Sequence, residues 1–284
     1  MSAGEHQLFP AADPRKPRSK QRSRGMFILP SLFTAVNIGA GFFAITQSLQ
    51  GSRLETKPFD YAALAIGLAI PFDALDGRIA RLTGTESDFG RELDSLADVI
   101  TFGVAPSLLA YLWGVRQVVP SGYPIIEGRL QHIGAVICFL FLICGACRLA
   151  RFNISVDPQP RNPGRPGRKY FVGMPIPAGA GVLAAVIHFE GGSPVYNVWL
   201  SAVWIALVAF TGFLMVSSWR FWSGKEIDFS SRRPGRLLVL LMVLLAVIFE
   251  WHQYALIVLA MIYVVSGVAA RLAYSWSRHS VKAS

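Results

Sequence analysis

Apolar residues run along this chain in long blocks, and the charges gather in the short segments between them. A helix of roughly twenty apolar residues spans the hydrocarbon core of a bilayer. The blocks predict eight such helices, at Phe27–Gln47, Tyr61–Arg78, Leu93–Trp113, Ile133–Leu149, Val172–Phe189, Val198–Val216, Leu237–Glu250 and Tyr254–Ala270. The seventh is short enough to pair with the eighth as a tight hairpin instead. Threading these spans from a cytoplasmic N-terminus places 23 of the 27 Lys and Arg residues on the inside. Only Arg53, Lys57, Arg116 and Arg129 then face outward, as the positive-inside rule requires. The expectation is an all-α integral membrane protein of about eight transmembrane helices, with both termini cytoplasmic. A disordered basic cytoplasmic tail (1–25) precedes a membrane domain (26–275), and a short cytoplasmic tail (276–284) ends the chain.

Composition agrees. Hydrophobic residues make up 53% of the 284 and charged residues 15%, against about 25% charged in soluble domains. Mean hydropathy is +0.44. A net charge of +10 raises the question of nucleic acid. The basic residues flank hydrophobic spans, however, so membrane lipids are the expected partners and no nucleic acid is. The first apolar run is too long for a cleavable leader, and none is expected. Cys138, Cys144 and Cys147 all fall in the fourth span, have no His beside them, and read as apolar filler.

One stretch departs from this apolar economy. Seven of the 17 acidic residues lie between positions 73 and 98. The run reads Asp73-x2-Asp76-Gly77-x2-Ala80-Arg81, then eight residues, then Gly90-x3-Asp94-x3-Asp98. On a helix, Asp73, Asp76, Gly77, Ala80 and Arg81 fall within an arc of about 140°. Gly90, Asp94 and Asp98 form one stripe on the next helix, which Thr101 extends. Between them Leu82–Phe89 reads as a turn, with Thr85 or Ser87 able to cap the second helix. Two adjacent helices therefore point four carboxylates at one another near the cytoplasmic surface.

A carboxylate at membrane depth is costly and marks function. Oxygen donors without Cys or His select hard cations, and a pair of such cations suits phosphoryl transfer. Asp98, deepest on its helix, is placed to take a proton from an attacking hydroxyl as well. Gly77 and Ala80 leave room for a bulky group, and Gly90 permits close approach. Asp88, Glu86 and Glu92 read as ordinary surface charge. An ion-coupled transporter could also use intramembrane carboxylates, but a relay does not require Gly, Ala and Arg at fixed intervals.

Those eight positions resemble the signature of the CDP-alcohol phosphotransferases without departure. The resemblance implies a membrane enzyme that displaces CMP from a CDP-linked lipid with an alcohol. It implies that Asp73, Asp76, Asp94 and Asp98 hold two divalent cations, Mn²⁺ or Mg²⁺, that Asp98 is the general base, and that Gly77, Ala80, Arg81 and Gly90 line the CDP-lipid site. Four stretches are similar to the serine-using bacterial branch of that family: Leu29–Asn37, the run through Asp98 to Pro106, Arg148–Asn153, and Phe171–Pro177. By that resemblance the substrates are CDP-diacylglycerol and L-serine, and the working unit is a homodimer in the cytoplasmic (inner) membrane with its active site facing the cytoplasm.

Arg148, Arg151 and Asn153 sit where the fourth span returns to the cytoplasm. Arg148 and Arg151 are one turn apart, and guanidinium forks bind carboxylate or phosphate. They are expected to hold the acceptor or a substrate phosphate, though positive-inside anchors would look the same. The Pro- and Gly-rich loop 157–169 reads as a flexible connection, and Pro175 and Pro177 as a break in the fifth span. His188 and His252 fall near the outer face, away from the chemistry.

Overall fold

The computed structural model describes residues 28–83, 87–119, 124–155, 170–222 and 251–283, with isolated helical positions between 239 and 250. The helices are α1 (Ile28–Gln50), α2 (Lys57–Thr83), α3 (Asp88–Asp98), α4 (Ala105–Gly114), α5 (Pro124–Ile154), α6 (Ile176–Phe189), α7 (Val198–Val216) and α8 (His252–Ala283). A π-helical turn, Val99–Val104, joins α3 to α4. Two short strands, β1 (Tyr170–Val172) and β2 (Arg220–Trp222), pair antiparallel.

Among the described residues, six helical stretches are long and apolar enough to cross a membrane. They are α1, α2, α3 continued through α4, α5, α7 and α8. The fifth expected span is shorter than its apolar block. Residues 170–175 are strand and bend, and α6 has 14 residues, about 21 Å of helix against a core of about 30 Å. The proline pair explains this, because Pro175 stands at the N-cap of α6 and the helix starts only behind it. Most of the seventh expected span, Leu237–Glu250, lies outside the described residues, as do the tail 1–25 and the loop 157–169. At the other end, helix α8 continues through 276–283.

α1 packs along α2, α2 against α6, and α5 against α7. The shared core is built of Phe59, Ile66, Phe102, Leu109, Phe141, Leu183 and Trp204. Close approach of α1 to the π turn depends on Gly41, whose missing Cβ would lie 2.6 Å from the Thr101 hydroxyl oxygen. That hydroxyl donates to the Asn37 carbonyl at 2.8 Å, which fixes the register of the two segments.

The β1–β2 pair closes one end of the bundle between α5, α7 and α8. Tyr170 opposes Trp222, Phe171 opposes Phe221, and Val172 opposes Arg220. Gly173 comes next with φ +76, and a Cβ there would run into the carbonyls of Met215 and Ser217. Irregular backbone inside an apolar bundle must have its polar groups satisfied by the protein. Accordingly the Gly173 N–H donates to the Trp219 carbonyl (2.8 Å) and the Met174 N–H to the Leu214 carbonyl (3.0 Å).

Candidate active site

Two helix ends build the site. In α2, Pro71 lies two residues before Asp73. A proline inside a helix deletes one backbone hydrogen bond, which loosens α2 just before Asp73. On the other side Ser87 caps α3, its Oγ accepting the Gly90 N–H at 3.0 Å. Asp94 and Asp98 then fall one turn apart on one face. Asp98 is the last residue of α3 and is only 8% exposed. The π turn begins immediately after it. Such turns insert an extra residue into a helix and recur at functional sites.

One carboxylate oxygen from each of Asp73, Asp94 and Asp98 lies within 4.8 Å of the others. The Asp73 and Asp98 side chains come within hydrogen-bonding range of each other. Three acids gathered this closely repel one another when ionised, and burial makes that repulsion costlier. A multivalent hard cation relieves both costs, and the donor set, all carboxylate oxygen, fits Mg²⁺ or Mn²⁺. The side chains of Asp76, Ala80 and Arg81 lie outside those described; their backbone continues α2. Gly77 is half-buried. Gly90, expected to admit a ligand, has a nearer reason to be small: a Cβ would come to 3.0 Å from the capping Ser87 Oγ. Asp88 pairs with Arg91 at 3.0 Å on an exposed surface, the ordinary role expected of it.

The three residues at the end of α5 separate in role. Arg148 is 6% exposed and its guanidinium lies over the rings of Phe152 (5.1 Å) and Phe171 (5.6 Å). It forms no hydrogen bond or ion pair with a described residue, while the charge of Asp98 and the Tyr263 hydroxyl lie within electrostatic range. Arg151 has backbone partners that its spacing did not announce. It lies within electrostatic range of Arg148 and donates to the carbonyls of Val216 (3.1 Å), Val172 (3.0 Å) and Ser217 (3.3 Å), tying α5 to the end of α7 and to β1. Asn153 donates to Ser95 Oγ at 2.8 Å and so fastens α5 to α3 beside Asp94.

Three features escaped sequence reasoning. The π turn has no composition signal. Tyr263 sits in an apolar span whose pattern does not single it out. Asn37 is 1% exposed, and neither of its side-chain amide atoms has a hydrogen-bond partner among the described residues. An amide in the middle of the first apolar span was the available signal for it.

A family model for CDP-alcohol phosphatidyltransferase matches residues 27–200, which include α1 to α6 and every carboxylate of the cluster. The chain belongs to the CDP-alcohol phosphatidyltransferase family. Among its relatives are proteins named CDP-diacylglycerol–serine O-phosphatidyltransferase. The Helicobacter pylori protein is 35% identical over 252 residues, covering 86% of this chain and 90% of the relative. That of Mycobacterium leprae is 38% identical over 207 residues, 71% of this chain and 59% of the relative. The Saccharomyces cerevisiae protein is 38% identical over 146 residues, 51% and 48% of the two chains. In this family setting, the geometry divides the molecule: the matched region carries the acidic cluster and Arg148, whereas β2 and α8 lie beyond it.

Proposed function

We propose that this phosphatidyltransferase moves the phosphatidyl group from CDP-diacylglycerol to L-serine, giving phosphatidylserine and CMP. The observation that carries this reading is the convergence of Asp73, Asp94 and Asp98 near a buried arginine that no described carboxylate pairs. The nucleotide-lipid lies along α2 and α3, with Gly77, Ala80, Arg81 and Gly90 as its lining. Asp73, Asp76, Asp94 and Asp98 would hold two divalent cations, Mn²⁺ or Mg²⁺, which would supply charge neutralisation for the pyrophosphate and for CMP as it leaves. Asp98 accepts the proton of the serine hydroxyl. The freed oxygen forms a bond to the phosphorus on the lipid side, and the bond from that phosphorus to the CMP oxygen breaks. Arg148 holds the serine carboxylate, and Arg151 and Asn153 keep its helix in place.

Direct displacement is favoured over a covalent intermediate. Ser95, next to Asp94, already donates its hydroxyl to the Arg91 carbonyl at 3.0 Å. Choline as acceptor is disfavoured, because the aromatic faces that would hold a cation already carry the Arg148 guanidinium. The proposed setting is the inner membrane, with eight spans, both termini cytoplasmic and the site facing the cytoplasm. The distribution of basic residues supports it. The expected homodimer rests on the family resemblance, and the mass of the detergent-solubilised particle tests it.

The test is CMP release by purified protein given CDP-diacylglycerol and Mn²⁺ or Mg²⁺, with candidate alcohols supplied singly. Serine-dependent release with phosphatidylserine formed is expected. Release with another alcohol keeps the chemistry and changes the acceptor. No release from folded protein with any alcohol would sink the reading and favour ion-coupled transport.

A further inference from the structure

α8 lies outside the region matched by the family model, yet the small sheet carries it to the site. Phe171 and Phe221 are directly opposed across β1 and β2, so both side chains leave the sheet on one face. The Phe171 ring lies 5.6 Å from the Arg148 guanidinium. The Phe221 ring lies 5.6 Å from the ring of Tyr263, tilted by 31°. Two adjacent aromatic contacts on one face therefore bring Arg148 of α5 and Tyr263 of α8 to the same place. Gly267, one turn further along α8, secures the approach, because a Cβ there would collide with the Phe221 ring. The Tyr263 hydroxyl donates to the Trp222 carbonyl at 3.3 Å, at the long end of the range and readily redirected.

Arg148 is a buried cation without an anion among the described residues at hydrogen-bonding distance. A carboxylate offers about four lone-pair sites, of which a guanidinium fork takes two. A neighbouring phenol can take a third. Resting on the serine reading above, we propose that Tyr263 is a specificity-determining residue for the acceptor. Its hydroxyl joins the Arg148 guanidinium in binding the carboxylate of an amino-acid alcohol. The common family core performs the displacement, and the last helix selects which alcohol is presented to Asp98. In serine only Cα and Cβ separate the carboxylate from the hydroxyl, so an anchor on Arg148 and Tyr263 leaves that hydroxyl within reach of the acidic cluster.

The test uses the full chain in detergent with CDP-diacylglycerol and Mn²⁺, comparing wild type with Tyr263→Phe. Loss of one hydrogen bond to a charged group predicts a serine KM raised about tenfold, with kcat and the KM for CDP-diacylglycerol within about twofold. Thermal unfolding of the variant stays at the wild-type midpoint. In Arg148→Lys the further effect of Tyr263→Phe shrinks, because both act on one carboxylate. Wild-type release that ignores serine overturns the acceptor assignment and the proposal with it. Serine-dependent wild-type release with an unchanged serine KM in folded Tyr263→Phe overturns the proposal alone. So does an equal fall in kcat for every acceptor, which is the mark of a merely structural residue.

Discussion

α2 carries an aspartate into two polar clusters, about 20 Å apart along the helix, and the two are chemically opposite. At one end Asp60 meets His188 Nδ1 at 2.5 Å, and His188 Nε2 meets His252 Nδ1 at 2.6 Å, with the imidazoles stacked 4.8 Å apart. If His188 gives its Nδ1 proton to Asp60, its Nε2 accepts one from His252. Every group finds a complementary neighbour, and His188 is 2% exposed. At the other end Asp73 meets further acids, Asp94 and Asp98. Mixed donors and acceptors close on themselves and clamp α2, α6 and α8 together. Like charges do not, and their mutual repulsion calls for a cation from outside the chain. The contrast separates a latch from a site without reference to any relative.

The largest effect expected from breaking this contrast is at Asp98. Asp98→Asn keeps the shape and hydrogen-bonding capacity of the side chain but loses its basicity. CMP release should fall by about a thousandfold, while CDP-diacylglycerol binding by the purified variant persists. Arg148→Leu comes next. It removes a buried cation without disturbing the acids, and the serine KM should rise about a hundredfold with the KM for CDP-diacylglycerol little changed. At Gly173, alanine must adopt a left-handed conformation and collide with the Met215 and Ser217 carbonyls. It should destabilise the chain by about 2 kcal/mol or more, read as a lowered unfolding midpoint. His188→Ala should likewise lower the midpoint by several degrees, but the folded fraction should turn over at the wild-type rate, as a latch requires. Asn153→Ala, losing one exposed bond to Ser95, should cost at most about 1 kcal/mol.

Sequence alone made the acidic end of this comparison legible and hid most of the other parts. Asp73 to Asp98 could be read because helical spacing is local: residues four apart share a face whatever surrounds them. A cap at Thr85 or Ser87 was readable for the same reason, and Ser87 takes the role. Long apolar blocks marked the helices, and α7 has the expected bounds, Val198–Val216. The fifth block set its start too early, since hydropathy does not distinguish a buried strand and bend from the start of a helix, but the break expected at Pro175 and Pro177 is where α6 begins. His188 and His252 were rightly kept apart from the chemistry, but their chain to Asp60 joins residues 128 and 64 positions apart, beyond any local pattern. Arg151 shows the same limit: correct helical spacing with Arg148 could not reveal three carbonyls arriving from β1 and the end of α7.

Mn²⁺ titration monitored by electron paramagnetic resonance separates a cation site at the all-acid cluster from one at the latch. Wild type and Asp60→Asn should bind Mn²⁺ alike, and Asp73→Asn should lose tight binding while remaining folded. Undiminished binding by folded Asp73→Asn would mean that the acidic cluster is not the cation site.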